Sequence, residues 1–145
     1  MKRIRVLFTC IHNSARSQMA EEYLRKFSDG RIDVTSAGLE PGTLNPDVVH
    51  VLADDGIDIS SKSTQSVFDL NDAGESFDYV VAVCDKKAAE RCPVFPAEKK
   101  RLHWPFEDPS SIEGKTDERL ERIRSIRDSI RDKVLQFYQN ELAGS

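Results

Sequence analysis

The feature that most constrains the fold is the alternation of short apolar segments with segments of helical periodicity. Residues 4–9 and 78–83 are rich in apolar and β-branched residues and predict buried strands, and weaker strand segments cover 32–36 and 101–104. Apolar residues recur at helical spacing in three longer segments, which cover residues 14–27, 46–55 and 117–142. This alternation predicts an α/β fold in which right-handed β-α-β units build a parallel sheet.

The order of the strands decides where a ligand would bind. We expect one domain over residues 1–145, with a four-stranded parallel sheet of order 2-1-3-4 and helices on both faces. In that order strands 1 and 3 are neighbours, and ligands bind beyond the carboxyl ends of strands at such a point. Cys10 directly follows the first strand and Cys84 the third. Because neighbouring strands lie about 4.8 Å apart, the topology predicts two thiols at one crevice.

The last helical segment combines one apolar face with many charged residues. Thr116 precedes it and is a suitable N-cap, because a threonine hydroxyl accepts hydrogen bonds from the first free N–H groups of a helix. We expect its arginine, glutamate and aspartate residues to form a solvated face, with an interaction surface as the alternative.

The most specific motif is the stretch CIHNSARS, residues 10–17, which joins a strand to a helix. The N–H groups of such a loop converge on one point and the helix dipole adds positive potential, so the loop favours an oxyanion. The planar guanidinium of Arg16 can bind two oxygens of a tetrahedral dianion. Cys10 would lie at the base of the loop and act as a thiolate nucleophile. Asn13 tolerates left-handed backbone angles, and Ser17 is placed to hydrogen-bond Cys10 or to cap the helix. The alternative is a plain turn with a buried cysteine and a solvated arginine.

Charge and composition argue against several function classes. The 145 residues carry a net charge of −4 and a sequence pI near 5.4, which argues against general nucleic-acid or membrane binding. No segment has the length of a membrane span, and the apolar run 6–8 is too short for a secretion signal, so we expect a cytoplasmic protein. Three cysteines in a reducing compartment do not predict a structural disulfide framework. His50 and His103 show no metal-ligand spacing, and we expect no zinc site.

The loop and the sequence SQMAE at 17–21 resemble the low-molecular-weight tyrosine phosphatases, and still more the thioredoxin-coupled arsenate reductases that share their fold. The similarity extends over nearly the whole chain, through SAG at 36–38, NP at 45–46, GIDIS at 56–60, the later cysteine pair, HW at 103–104 and DP at 108–109. It implies the doubly wound low-molecular-weight phosphatase fold, and arsenate as substrate with phosphate or sulfate as analogues.

The resemblance also implies roles for individual residues. Cys10 would be the nucleophile, and the loop residues that would line the substrate are Ile11, His12, Asn13, Ser14, Ala15, Arg16 and Ser17. Asp108 would be the general acid for the leaving oxygen, because a residue before proline is extended and can project its carboxyl group, with Glu107 as the nearest competitor. Two residues of the loop depart from the family: His12 stands where glycine is frequent, and Ala15 where many members carry a second loop cysteine.

By the same resemblance, Cys84 and Cys92 are the second and third redox cysteines. Cys10 would attack arsenic, Cys84 would attack the Cys10 sulfur and release arsenite, and Cys92 would then form a disulfide with Cys84 that thioredoxin reduces. Eight residues in an unbroken helix rise by about 12 Å. A disulfide tolerates Cα separations up to about 7 Å, so a helix over residues 85–91 would have to unwind on oxidation. The alternative is two core cysteines flanking an ordinary helix.

Three further points stay open at the level of sequence. Some family members hold a potassium ion beside the loop, and the matching positions are Asn13, Glu21, Ser36, Ser63 and Gln65, with Gln65 replacing an acidic ligand. The resemblance implies thioredoxin as the final reductant, with glutaredoxin, glutathione or another small thiol as alternatives. A phosphomonoester phosphatase acting through a Cys10 phosphoenzyme is the second candidate function, and a non-catalytic oxyanion sensor is the third.

Overall fold

The chain forms a four-stranded parallel sheet with the predicted order. The computed structural model describes residues 3–84 and 97–143. The strands are β1 (Arg5–Cys10), β2 (Asp33–Gly38), β3 (Phe77–Ala82) and β4 (Ala97–His103), and they lie in the order β2-β1-β3-β4. All three pairs of neighbours are parallel. The prediction of an α/β fold with strands 1 and 3 side by side is therefore confirmed.

The central strand is covered on both sides. Successive side chains of a strand point to opposite faces of the sheet, and Val6, Leu7 and Phe8 of β1 are all fully buried. By contrast, most side chains of β4 are exposed, as expected for an edge strand that carries charged residues. Cys10, which ends β1, and Cys84, two residues beyond β3, belong to the same buried cluster as the core residues of β1.

Four α-helices lie in the described part of the chain. They are α1 (Arg16–Phe27), α2 (Pro46–Ala53), α3 (Val67–Asp72) and α4 (Thr116–Phe137), and a π-helical turn (Tyr138–Leu142) continues the last. The short helix α3 was not predicted, because six residues with only two buried or half-buried apolar side chains give no helical periodicity. Helix α1 packs on β1, β2 and α4.

One expectation for the last helix is wrong, and its largely solvated charged face also makes tertiary contacts. Thr116 is not the N-cap: it is the first helical residue, and Lys115 takes the cap position without a side-chain hydrogen bond. The charged face is not wholly solvated, because three of its arginines bind α2 or the residue that follows it. Arg119 pairs with Asp47 at 2.6 Å, Arg124 with Asp54 at 2.9 Å, and Arg127 donates to the Val51 carbonyl at 2.8 Å.

A cluster of aromatic side chains packs α4 against the sheet. Phe137 of α4 makes edge-to-face contacts with Tyr79 and Trp104, with ring centroids 5.3 Å apart in each pair. Phe8 lies 6.0 Å from Trp104. Trp104 directly follows β4, so this packing anchors the start of the segment that leads to Asp108. Across residues 3–84 and 97–143, no helix combines the length and the apolar character that crossing a bilayer requires.

Candidate active site

The loop after β1 forms a cup around the sulfur of Cys10. Cys10 is the last residue of β1, and its side chain is buried. Asn13 has a φ of 54°, the left-handed conformation expected for asparagine at this point. That turn directs the Asn13 N–H at the Cys10 sulfur, 3.1 Å away. The Ser17 hydroxyl lies 2.8 Å from the same sulfur, so the predicted Ser17–Cys10 contact is confirmed.

The segment after β2 holds the outer side of the cup. The N–H groups of Leu39, Glu40 and Gly42 donate to carbonyls at successive positions 10, 11 and 12 of the loop. This close approach requires a glycine at position 38. A Cβ built on Gly38 would lie 2.7 Å from the Asn13 nitrogen and from the Ile11 oxygen, closer than atoms tolerate.

Asn13 fixes the direction of the hydrogen bonds behind the sulfur. Its amide nitrogen donates to the hydroxyls of Ser17 at 2.8 Å and Ser36 at 2.9 Å. Its amide oxygen accepts from the Gln65 N–H at 3.0 Å. Because the Ser17 oxygen already accepts from Asn13, its own hydrogen is available to the Cys10 sulfur. The Ser36 hydroxyl donates in turn to Glu21 at 2.5 Å.

Glu21 is the buried charge at the far end of this network. Burial on its own raises the pKa of the Glu21 carboxyl. The Lys62 ammonium at 2.6 Å, the Ser36 hydroxyl and the Arg25 guanidinium outweigh it and hold the pKa below its ordinary value of 4.5. The family resemblance implies a possible potassium site at Asn13, Glu21, Ser36, Ser63 and Gln65. In the structure, two cationic side chains already pair with the carboxylate, and the potassium site stays a prediction.

Arg16 lies buried at the start of α1, facing the segment after β4. Its guanidinium donates to the Phe106 carbonyl at 3.0 Å, and its other terminal nitrogen lies 3.7 Å from the Asp108 carboxylate. Asp108 is extended, as expected before Pro109, and about one third of its side chain is exposed. The neighbouring carboxylate of Glu107 pairs instead with Arg122 on α4 at 2.5 Å. Of the two candidate acids, Asp108 is the one whose carboxylate lies beside Arg16.

The second cysteine lies at the end of the neighbouring strand. Val83 donates its N–H to the Thr9 carbonyl at 2.9 Å, so β1 and β3 remain paired to the residue before Cys84. Cys84 is a fully buried thiol, and His103 contacts its carbonyl at 2.6 Å. Cys92 and the predicted helix over 85–91 lie outside the described residues, so the predicted unwinding on oxidation stays a prediction.

His12 is the one exposed residue of the loop. Its Nδ1 lies 2.9 Å from the Glu40 carbonyl, and because a carbonyl only accepts, Nδ1 carries the proton. Gly42 lies beside the His12 side chain. A Cβ built on Gly42 would make an ordinary van der Waals contact with the His12 Cβ, at 3.7 Å. The other predicted substrate-lining residues, Ile11, Ser14 and Ala15, form the backbone of the cup between Cys10 and Arg16.

Several contacts at the site carry no signal in the local sequence. Lys62, Phe106 and His103 reach the site through side chains or a carbonyl from segments distant along the chain. Asn45 ties α2 to the acid segment, because its amide donates to the Ser110 hydroxyl at 2.9 Å. Gly38, Asn45 and His103 do lie in segments that resemble the family, but the resemblance does not show which groups they contact.

A known protein family and a curated relative both match nearly the whole chain. The family model described as low molecular weight phosphotyrosine protein phosphatase matches residues 5–143. An arsenate reductase of Shouchella clausii is 39% identical over 134 residues, covering 91% of this chain and 93% of that protein.

Two solved structures extend the comparison. An arsenate reductase solved in a phosphate-binding state is 28% identical with a TM-score of 0.76, covering 94% of this chain and 97% of that one. A thioredoxin-dependent arsenate reductase of Corynebacterium glutamicum is 29% identical with a TM-score of 0.64, covering 92% and 63%. Because the family model spans nearly every described residue and the strand order and the loop agree with it, the chain belongs to the low molecular weight phosphotyrosine protein phosphatase family.

Proposed function

We propose that this protein is an arsenate reductase that transfers two electrons from its own thiols to arsenate and is regenerated by thioredoxin. The observation that carries the proposal is the pairing of two buried thiols with one anion cup. Cys10 lies in the cup, and Cys84 lies two residues beyond the neighbouring strand, in the same buried cluster. The arsenate reductases among its relatives support the substrate, and the thioredoxin-dependent neighbour supports the reductant.

The first step is the binding and attack of arsenate. The N–H groups of residues 11–17 and the Arg16 guanidinium would hold the oxygens of the dianion. Asn13 N–H and Ser17 O–H point at the Cys10 sulfur and would stabilise it as a thiolate. The thiolate attacks arsenic(V), and one oxygen leaves as water after taking a proton from Asp108. The product is a Cys10–arsenic(V) adduct, with no change in oxidation state.

The second stage moves the electrons. The Cys84 thiolate attacks the Cys10 sulfur, an S–S bond forms, and the electron pair of the S–As bond stays on arsenic, which leaves as arsenite. Cys92 then attacks Cys84 and releases Cys10 as a thiol, leaving a Cys84–Cys92 disulfide. Two electrons from a thioredoxin dithiol reduce that disulfide and complete the cycle. Phosphorus(V) does not accept the electron pair, so the same cup would leave phosphate unreduced.

The second candidate function is a phosphatase that hydrolyses phosphomonoesters through a Cys10 phosphoenzyme. The family and the cup favour it, since this chemistry needs only Cys10, Arg16 and Asp108. The residue after Asp108-Pro109 is Ser110, where related phosphatases usually carry an aromatic residue, and Ser110 is bound to Asn45. An aryl substrate therefore lacks that aromatic partner here, which favours a small inorganic anion.

Anaerobic turnover with arsenate, thioredoxin, thioredoxin reductase and NADPH tests the proposal. We expect the wild type to consume NADPH and to form arsenite, whereas Cys84→Ser and Cys92→Ser lose multiple turnover. Mass spectrometry should find the Cys10–arsenic adduct on the Cys84→Ser protein. Release of nitrophenol from p-nitrophenyl phosphate is the control, because it should require Cys10 and Asp108 but neither later cysteine. Full arsenate turnover by Cys84→Ser would overturn the relay, and phosphate-ester hydrolysis without arsenite would select the second function.

A further inference from the structure

We propose that His103 is a positioning residue for Cys84, whose carbonyl it holds so that the second thiol stays at the end of β3 beside the anion cup. The proposal rests on the proposed function, because it assigns to Cys84 the role of the second thiol. It concerns a contact that the reaction scheme above does not use. His103 is the last residue of β4, and its Nε2 lies 2.6 Å from the Cys84 carbonyl oxygen.

The contact adds a side-chain bond next to the backbone hydrogen bonds at this end of the sheet. Ala82 and His103 are partners in the register of β3 and β4, and the Trp104 N–H donates to the Ala82 carbonyl at 2.8 Å. On the other side, the Val83 N–H donates to Thr9 of β1. The imidazole adds one more bond on the β4 side, at Cys84 itself. The backbone around Cys84 is thus held from both neighbouring strands.

The protonation state of the imidazole follows from the partner. A carbonyl oxygen only accepts, so Nε2 must carry a hydrogen, and in the neutral ring Nδ1 is then the acceptor. The charged ring also carries hydrogen on Nε2. The bond is therefore available in either form of the ring.

The held backbone matters because the Cys84 sulfur has to travel. Cys84 is fully buried, and it has to meet the Cys10 sulfur and afterwards exchange with Cys92. If its carbonyl is fixed, the side chain can rotate while the Cα stays in place, and the sulfur remains near the end of β1. Without the bond, this strand end opens more often, so that the thiol becomes more accessible to reagents and spends less time beside Cys10.

A pair of amide variants separates the bond from the bulk of the ring. Glutamine places its amide nitrogen where histidine has Nε2, whereas asparagine places it where histidine has Nδ1. We expect His103→Asn to raise the rate of Cys84 alkylation by iodoacetamide by about fivefold, as for the loss of one hydrogen bond. His103→Gln should stay within about twofold of the wild type. Peptide mass spectrometry reports Cys84 and Cys10 separately, and the Cys10 rate should not change in either variant.

Single-turnover kinetics provides the second readout. In His103→Asn, formation of the Cys10–arsenic adduct should proceed at the wild-type rate, and arsenite release should slow by about three- to tenfold. If His103 only stabilised the fold, both variants would lower the unfolding temperature alike. Adduct formation and arsenite release would then not differ in their response to the substitution. Equal Cys84 alkylation in the wild type and His103→Asn, or equal values in His103→Asn and His103→Gln, overturns the proposal.

Two further outcomes remain informative. If the wild type forms no arsenite, the proposed function fails, but the alkylation comparison still decides whether His103 positions Cys84. If His103→Asn does not fold, the nitrogen-15 spectrum of the wild-type imidazole decides instead. We expect hydrogen on Nε2 at neutral pH, and a ring that carries hydrogen on Nδ1 alone would contradict the contact.

Discussion

Asn13 organises the cup more than any other side chain in the described part of the chain. Both hydrogens of its amide nitrogen are used, on Ser17 and Ser36, and its oxygen accepts from the Gln65 backbone. With Asn13 donating to its oxygen, the Ser17 hydroxyl can donate its own hydrogen to a Cys10 thiolate 2.8 Å away. A hydroxyl that is held in this way donates to a thiolate without first having to reorient, which is the condition for electrostatic stabilisation in an active site.

Replacing Ser17 by alanine should therefore slow the reactions of the Cys10 thiolate. A hydrogen bond to a charged group contributes about 1.5–3 kcal/mol, which corresponds to a rate about 10- to 100-fold lower. The measurement is the rate of Cys10 carboxymethylation by iodoacetate across pH, followed by peptide mass spectrometry. Phosphate should protect the wild-type cysteine in the same assay, because the reagent and the anion compete for one cup.

Ser28→Ala is the matched control for this change. Ser28 is a buried serine at the other end of α1, and its hydroxyl donates to the Arg25 carbonyl at 3.3 Å. Its loss should leave the carboxymethylation rate unchanged. A Ser17→Ala protein that reacts as fast as the wild type would show that the hydroxyl does not support the thiolate.

For single residues, the sequence predicts local conformation and contacts within one turn better than it predicts tertiary contacts. The left-handed angle of Asn13 and the contact of Ser17 with Cys10 follow from residue chemistry and from spacing within one turn. The pairing of Glu21 with Lys62 does not, because their positions depend on how a long connection folds back on α1. Contacts formed by tertiary folding leave no periodic signal in the chain.

The end of β2 supports the anion loop as a second element. Gly38 lies against the loop backbone, where a Cβ would come within 2.7 Å of Asn13 and Ile11. Gly38→Ala should push the loop away and destabilise the protein by about 1–3 kcal/mol, as overpacking does. Phosphate affinity should fall as well, because the N–H groups would no longer converge. Urea unfolding and calorimetric phosphate titration measure the two effects.

Gly42→Ala offers a comparison on the same segment. Its added methyl group would meet the His12 Cβ at 3.7 Å, which is ordinary contact, and it should change neither stability nor phosphate binding much. Equal effects of the two substitutions would mean that close approach at Gly38 does not shape the cup.

The sequence pattern predicts the presence of the helices and strands better than their boundaries. The helix after the loop begins at Arg16 rather than at the predicted residue 14, because the loop backbone occupies the first two positions of that segment. β4 runs from Ala97 to His103, longer than the predicted 101–104, since an edge strand needs no apolar alternation on its exposed side. The charged face of α4 looked solvated because sequence does not show that α2 lies against it.

The molecule as a whole is acidic, yet it builds a site for an anion. The net charge of −4 excludes long-range attraction of a dianion, so the attraction must come from groups at the cup itself. Arg16 is buried there, and the cations Lys62 and Arg25 neutralise the buried carboxylate of Glu21 behind it. The strand order was predictable because it follows from strand–helix alternation, whereas this local balance of charge is visible only after folding.

That balance predicts how the stability of the whole protein depends on pH. The pKa of Glu21 in the folded protein lies below 4.5, its ordinary value. A lowered pKa contributes stability above the unfolded value, and that contribution is lost as the pH falls through the folded one. The Tyr23 hydroxyl likewise lowers the pKa of Asp55, with a hydrogen bond of 2.6 Å, so both groups favour unfolding in acid. We expect the free energy of unfolding to fall steadily below about pH 5.

Glu21→Gln separates this buried group from the rest. The variant should lose about 1–3 kcal/mol at neutral pH, because Lys62 and Arg25 keep only Glu22 as an acidic partner. The difference from the wild type should shrink as the pH falls below the ordinary value of 4.5 and through the lowered pKa of Glu21 in the folded protein, because the wild-type carboxylate takes up a proton over this range. Urea unfolding of reduced protein at a series of pH values measures it, with Glu121→Gln, an exposed position on α4, as the control for loss of one charge. A difference that stays constant over this range would mean that the ionised form of Glu21 does not stabilise the fold.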